Sequence, residues 1–143
     1  MKKMLLSVLL VFSASSLFAQ TTATSIIGEW LNEDKDAKVT IYQKGDLFYG
    51  KVSWLKEPNG DDGKPKVDEE NPDQAKRSRP IDGLVLLRDF RYEDKEWKGG
   101  SIYDPKNGKT YDCYMALESG NKLKIRGFVM GMRAVGRTTY WTR

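Results

Sequence analysis

The sequence predicts an all-β fold, a single antiparallel up-and-down barrel of about eight strands, on three observations. Short stretches that alternate apolar and polar residues recur along residues 20–143, which is typical of strands with one buried face. Turn signals such as Asn107-Gly108 separate these stretches at hairpin spacing. No stretch has the period of an amphipathic helix. Because successive strands are joined by simple hairpins, a barrel is favoured over a sandwich.

Residues 1–19 are predicted to be a secretory signal peptide, which leaves one domain over residues 20–143. The chain starts with Lys2 and Lys3, continues with a short apolar run and has small residues before Gln20. The apolar run is too short to span a bilayer, so an uncleaved anchor helix is the weaker alternative. No Leu-x-x-Cys lipobox is present at the cleavage region. We therefore expect a periplasmic or secreted protein with no membrane span after cleavage.

Composition excludes several classes of function. The net charge of +4 falls to +2 without Lys2 and Lys3, and the cations are interspersed with carboxylates, so we expect no nucleic-acid partner. The chain has no histidine and one cysteine, which excludes histidine triads, histidine-ligated zinc and cysteine-rich metal sites. We expect no cofactor, no metal and no catalytic residue. An enzyme would need carboxylates, tyrosines, lysines or arginines alone and is the least supported class.

The first half of the domain predicts three strands. The fold begins at 26–31, and the stretches 37–43 and 48–54 form a hairpin around the turn Lys44-Gly45-Asp46. In the second strand of that hairpin, one face is expected to carry Phe48, Gly50, Val52 and Trp54.

The segment 57–80 is a long loop with several prolines, many charges and no periodicity. A loop of this length in a compact domain usually carries function or covers a cavity, so a solvated lid is expected. Its acidic residues do not fit an EF-hand, because the glycine and carboxylates are out of register.

The second half predicts the remaining strands. The stretch 81–92 is ambiguous between a strand and one or two helical turns. The strand 97–103 contains Gly99-Gly100, which indicates a bulge or sharp bend. Three alternating stretches follow, at 109–117, 122–129 and 134–142. In the first of them, Cys113 falls on an apolar face and is expected to be buried.

Two motifs resemble known families. Gly28-Glu29-Trp30 resembles the Gly-x-Trp signature of lipocalins and other calycins. In that family the tryptophan plugs the closed end of the barrel under an arginine from the last strand. The resemblance implies that Gly28, Trp30, Trp141 and Arg143 close the barrel, with Arg133 and Arg137 as alternative arginines.

The second resemblance covers nearly all of residues 20–143 and is to the bacterial DUF2147 family. It rests on Asp68-x-x-Asn71-Pro72, Arg77-x-Arg79-Pro80-x-x-Gly83, Trp97-x-Gly99-Gly100-x-Ile102-Tyr103-Asp104-Pro105-x-x-Gly108-Lys109-x-Tyr111, Leu123-x-x-Arg126-Gly127 and Gly136-Arg137-Thr138-x-x-Trp141-Thr142-Arg143. The resemblance implies a small exported bacterial protein with a calycin-like, lipocalin-like barrel and no assigned activity. The stretch Met130-Gly131-Met132-Arg133 departs from the small apolar segment expected there.

The favoured function is binding of a small hydrophobic or amphiphilic ligand, such as a lipid or fatty acid, inside the barrel. Trp54, Tyr103 and Tyr111 are the expected aromatic contacts, and Arg126 and Arg137 the expected clamps for a carboxylate or phosphate. The alternative is an envelope protein that binds a partner through the loop 57–80. We expect a monomer, with any ligand at the loop-covered mouth.

Overall fold

The computed structural model describes residues 20–143, and the signal-peptide prediction for residues 1–19 lies outside the described residues. The eight strands are β1 Gly28–Leu31, β2 Ala37–Lys44, β3 Leu47–Leu55, β4 Val85–Glu93, β5 Glu96–Asp104, β6 Lys109–Ser119, β7 Lys122–Val129 and β8 Met132–Thr142. Each strand pairs antiparallel with the next, and β8 returns to β1 to close the barrel. The prediction of an eight-stranded up-and-down barrel is confirmed. Within residues 20–143, no helix is long and apolar enough to cross a membrane.

Strand pairing is long everywhere except at the seam between β1 and β8. The hairpin β7–β8 pairs from Lys122–Thr142 to Val129–Met132, whereas β1 and β8 share only the pair Leu31–Thr142. Beyond that pair, the backbone N–H of Tyr140 donates to the carboxylate of Glu33 at 3.2 Å. The seam is therefore the weakest junction of the barrel.

The ambiguous stretch 81–92 contains β4, with Leu87 and Phe90 buried in the barrel. Its neighbour β5 bulges at Gly99, which has φ +74°, and its pairing with β6 shifts there, as the glycine pair predicts. A Cβ on Gly100 would lie 2.6 Å from the Phe90 ring. The glycine thus allows β5 to pack closely against the ring in the core.

The core fills the half of the barrel at which β1 begins and β8 ends. It is one cluster of buried side chains: Ile26, Trp30, Val39, Ile41, Phe48, Leu87, Phe90, Trp97, Cys113, Met115, Leu123, Ile125 and Trp141. Cys113 is buried as its alternation predicts, and burial raises the pKa of its thiol. A protonated buried thiol behaves as a small apolar side chain.

A 3-10 turn at Ala23–Ile26 covers this closed end. The indole of Trp30 donates to the Ile26 carbonyl at 2.8 Å, and that of Trp97 donates to the Ala23 carbonyl at 3.1 Å. The Tyr92 hydroxyl donates to the Thr21 carbonyl at 3.0 Å. Buried aromatic rings need a partner for their polar atom, and here the 3-10 turn and the residues just before it supply one.

Candidate functional site

The other half of the barrel is hollow and opens to solvent. It holds a cavity of about 1460 Å³ beneath the loop 57–80 and the turns that join β1 to β2 and β5 to β6. The apolar part of the wall is formed by Val52, Leu55, Leu86, Ile102, Ile125 and Trp141. Ile125 and Trp141 also belong to the core, so they form the floor between the packed half and the hollow half.

The rim of the cavity is charged and mixed in sign. Carboxylates come from Glu33, Asp34, Asp36, Glu57, Asp61, Asp62, Glu69 and Asp104, and cations from Lys56, Lys64, Lys66, Lys106 and Arg137. Several of them neutralise one another, since Lys106 lies 3.4 Å from Asp36 and 3.5 Å from Asp34.

Three of the sequence-predicted contacts, Tyr103, Tyr111 and Arg137, line the cavity. The Tyr111 hydroxyl accepts a hydrogen bond from the Asn107 side chain at 3.1 Å. Arg137 is paired in register with Gly127, which has no side chain to fill the space beside it. Within residues 20–143, no hydrogen bond or ion pair of Arg137's side chain is observed. Its guanidinium is thus available to an anion at the wall of the cavity.

Trp54 does not face the interior, which corrects the alternation expected for β3. The pairing between β2 and β3 shifts at Lys38 and Val39, so that Lys38 lies opposite Trp54 while Val39 lies opposite Val52. Ser53 is the extra residue, and it reverses the side on which the next side chain emerges. Trp54 is therefore exposed on the outer surface, with the Lys38 ammonium 5.8 Å from its ring centroid.

Arg126 also lies on the outer surface and is not a clamp in the cavity. Its Nε and Nη2 donate to the Arg133 carbonyl at 3.0 and 2.8 Å, and its Nη1 donates to the Thr138 hydroxyl at 3.1 Å. Its neighbour Ile125 is buried in the barrel, and alternation along β7 turns Arg126 the other way. The guanidinium braces the start of β8, where pairing shifts between Phe128 and Val129.

Tyr103 lines the cavity, but its hydroxyl is used by the loop 57–80. It donates to Oδ1 of Asp68 at 2.5 Å, while Oδ2 of Asp68 accepts from Asn71 at 2.8 Å and from Arg79 at 3.0 Å. We call these four residues the Asp68 cluster. Asp68 is fully buried and Asn71 nearly so, so this part of the loop is not the solvated lid that its composition predicts.

The cluster shifts the pKa values of both partners. Burial would raise the pKa of Asp68, but hydrogen bonds from Tyr103, Asn71 and Arg79, with the charge of Arg79, lower it below its usual value. Burial and the carboxylate of Asp68 raise the pKa of Tyr103 to about 12. Both groups are therefore held in the ionisation states that support their hydrogen bond at neutral pH.

Sequence reasoning quoted Asp68 in a motif but did not identify it as a functional residue. The available signal was the spacing Asp68-x-x-Asn71-Pro72, because aspartate, asparagine and proline close together are typical of a turn. Its distant partner Tyr103 is 35 residues away in the chain. No local pattern reports a contact of that separation.

The residues expected to close the barrel lie at its packed end. The Arg143 guanidinium carbon is 4.1 Å from the Trp30 ring centroid, whereas that of Arg133 lies 4.0 Å from the Tyr114 ring outside the barrel. Arg143 also donates to the carbonyls of Ser25, Ile27 and Gly120 at 2.9, 3.1 and 2.9 Å.

Gly28 has φ +132°, and a Cβ there would lie 3.4 Å from Nη1 of Arg143. Trp141 is buried and pairs with Leu123 of β7. Its side chain lies at the floor of the cavity.

In the part of the chain that the structure describes, no group of three or more histidine, cysteine or carboxylate side chains is arranged to hold a metal ion. What the site offers is an apolar wall, two tyrosine rings and one guanidinium. That set can enclose the apolar body of a small molecule and pair with an anionic group on it.

Comparison with known proteins supports the architecture. A solved Helicobacter pylori protein, HP1028, described as belonging to the lipocalin family, is similar with a TM-score of 0.72 and 26% sequence identity over 82% of each chain. A comparison with curated proteins gives no significant match. A family model described as "Uncharacterized protein conserved in bacteria (DUF2147)" matches residues 28–143. Because the match spans all eight strands, the chain belongs to the DUF2147 family, as the motifs quoted from its sequence indicate.

Proposed function

We propose that the protein binds one small, partly apolar ligand in the hollow half of its barrel. The observation that carries the proposal is the contrast between the two halves: one is packed with buried side chains, and the other keeps a cavity of about 1460 Å³ with an apolar wall. Small barrels can be filled entirely by side chains, or they can hold one small ligand as lipocalins do. The likeness to a lipocalin-family structure supports the second use.

Arg137 is the proposed anchor for the polar end of the ligand. It lines the cavity beside the empty space above Gly127, and no acidic partner within residues 20–143 neutralises it. A guanidinium in a partly dry site binds a carboxylate or phosphate with paired hydrogen bonds. The apolar residues Ile102 and Ile125 of the same wall would then contact the tail. The proposed ligand class is an amphiphile with one acidic group, of which a fatty acid is the simplest example.

The loop 57–80 is proposed to narrow the entrance. It contributes rim residues such as Lys66 and Glu69, and the Asp68 cluster attaches it to Tyr103 on β5. Residues 1–19 support a location outside the cytoplasm, where amphiphiles must be carried through water.

The direct test fills the cavity from within. A Cβ on Gly127 would lie 3.7 Å from Ile102 and 3.7 Å from Tyr111, both ordinary contacts, so Gly127→Leu extends a side chain into the cavity without a backbone clash. With dodecanoic acid as the probe, we expect wild type to show a rise in melting temperature and saturable binding by calorimetry. We expect Gly127→Leu to weaken that binding by about tenfold or more.

The matched control is Gly120→Leu, in the β6–β7 turn, where a Cβ would meet no atom within 4 Å. It should bind dodecanoic acid as wild type does. Arg137→Gln should reduce affinity for dodecanoic acid more than for dodecanol, because only the acid pairs with the guanidinium. Equal binding of dodecanoic acid by wild type and Gly127→Leu would count against the cavity as the site.

A further inference from the structure

The end of the chain is basic and contains no carboxylate side chain. Residues 119–143 include no aspartate or glutamate, although the whole chain has 20, and they carry six cations: Lys122, Lys124, Arg126, Arg133, Arg137 and Arg143. These residues form the β7–β8 hairpin and its flanking turns. The hairpin is therefore a positively charged element in a domain whose other side chains carry a net charge of −4.

The tip of the same hairpin exposes apolar side chains. Met130 is 87% exposed, Met132 48%, Val135 49% and Val129 38%. We call these four residues the apolar tip. Four apolar side chains within seven positions form a cluster, unlike the single exposed apolar residues that are normal on a surface.

Hydrogen bonds hold the apolar tip in one conformation. Arg126 bonds the Arg133 carbonyl, and the Gly131 N–H donates to Asp112 at 3.1 Å. Arg133 in turn pairs with Glu96, with Nη2 3.0 Å from Oε2. These contacts fix the backbone of the turn, and the four apolar side chains are exposed to water, which is unfavourable.

The small size of the apolar tip and the positive charge beside it indicate which kind of partner it binds. A stable protein interface takes roughly 20–30 residues from each side, far more than the apolar tip offers. A lipid surface needs only a few apolar side chains at the depth of the headgroups, with cations just behind them. Arg133, on the outer surface, follows Met132 directly in the chain.

The tip also adjoins the cavity, whose lining includes Val129, Gly136 and Arg137. The loop 57–80, which joins β3 to β4 across the barrel from the β7–β8 hairpin, carries Asp61 and Asp62 on the rim, and an anionic surface would repel them. If the hairpin edge contacts the bilayer and the rest of the mouth is tilted away, the cations of the hairpin face the anionic lipids and the rim carboxylates stay in water.

We propose that the apolar tip inserts into the surface of an anionic lipid bilayer, with Arg133 at the level of the headgroups. The docked protein has its cavity entrance beside the bilayer, where an amphiphile can pass without crossing bulk water. The docking itself stands on the hairpin alone and does not require that the cavity be occupied.

The test measures co-sedimentation of the purified protein, residues 20–143, with vesicles at low ionic strength. Wild type should bind vesicles of phosphatidylcholine with phosphatidylglycerol more tightly than vesicles of phosphatidylcholine alone, and added salt should weaken that binding. The double variant Met130→Asp, Met132→Asp should lose about tenfold or more in affinity for the anionic vesicles. Because both side chains are exposed, its melting temperature should match that of wild type.

The control Trp54→Asp makes the same kind of change on β3, across the barrel from β7, and should leave vesicle binding unaltered. Wild-type protein that stays in solution with anionic vesicles would overturn the proposal, as would equal binding by the double variant. A dimer in solution that the double variant abolishes would also overturn it, since a second copy would then cover the tip. Dodecanoic acid binding without vesicles, measured on the same samples, shows separately whether the cavity proposal holds.

Discussion

At the scale of single residues, Asp68 is the buried charge that attaches the loop 57–80 to the barrel. It is a fully buried carboxylate with three side-chain donors, from Tyr103, Asn71 and Arg79. A buried charge is tolerated only when its lone pairs are satisfied and a counter-charge is near, and both conditions are met here. Loss of one donor would leave a buried acceptor unpaired, which is more costly than the loss of an exposed hydrogen bond.

This environment predicts how stability depends on pH. The pKa of Asp68 is lowered in the folded protein, so its contribution is fully present above the ordinary value of 3.8 and is lost as pH falls through the folded value. At neutral pH, Asp68→Asn should cost about 1–3 kcal/mol in the free energy of unfolding by urea. The two proteins should converge in stability as the pH falls through the lowered pKa of Asp68.

The matched control for this experiment is Asp61→Asn, an exposed carboxylate of the same loop. It should follow wild type at every pH. A stability difference between wild type and Asp68→Asn that is the same in acid as at neutral pH would show that the charge of Asp68 does not stabilise the fold.

At the scale of elements, the loop 57–80 is docked on the β5–β6 hairpin at two points. One is the hydroxyl of Tyr103, near the end of β5. The other is the turn between β5 and β6, where Gly108 has φ +70° and a Cβ would overlap the Glu70 carbonyl. The close approach of two backbones requires glycine at this position, independently of its conformation.

Gly108→Ala should therefore loosen the loop more than the barrel. The positive φ costs about 1 kcal/mol for alanine, and the overlap with Glu70 must be relieved by moving the loop. We expect faster tryptic cleavage after Lys76 and Arg77, detected by mass spectrometry, with a smaller effect on the barrel's own unfolding.

Gly120→Ala is the control for that change, because a Cβ there meets nothing within 4 Å and the residue has no positive φ. It should leave tryptic cleavage of the loop as in wild type. If Gly108→Ala is cleaved no faster than Gly120→Ala, the docking at Glu70 does not hold the loop.

At the scale of the whole molecule, the last residue joins the two ends of the described chain. The Arg143 side chain bonds Ser25, Ile27 and Gly120 and lies over the Trp30 ring. The direct pairing of β1 with β8 consists of one residue pair, so this side chain supports a seam that the strands alone hold weakly. We therefore propose that Arg143 helps to close the barrel.

Arg143→Lys should lower stability although it keeps the charge. An ammonium cannot reproduce the planar set of donors aimed at Ser25 and Ile27, nor stack on Trp30 in the same way. We expect a loss of about 1–3 kcal/mol, seen as a melting temperature lower by several degrees.

The control is Arg91→Lys, an exposed arginine on β4, which should change the melting temperature little. A variant Arg143→Lys as stable as wild type would show that the guanidinium contacts do not close the barrel.

The sequence predicts a site residue where alternation within one strand decides which way its side chain points, and fails where pairing with another strand decides it. The inward positions of Tyr111 and Arg137 follow from alternation within an unbroken strand. Trp54 was placed wrongly because the bulge at Ser53 is set by pairing with β2, which alternation within one strand does not report. Arg126 could have been placed from its own strand, since its neighbour Ile125 is apolar and alternation turns it outward.

The sequence by itself determined the class, the number of strands and the family. Local patterns predict those features, namely alternation, turn dipeptides such as Asn107-Gly108 and short motifs. Each of these patterns lies within about ten residues of the chain. Only the tertiary structure decided that half of the barrel is hollow and that Asp68 is buried against Tyr103. Burial and cavity volume depend on contacts between residues far apart in the chain, and a single extra residue in one strand exchanges its inner and outer faces.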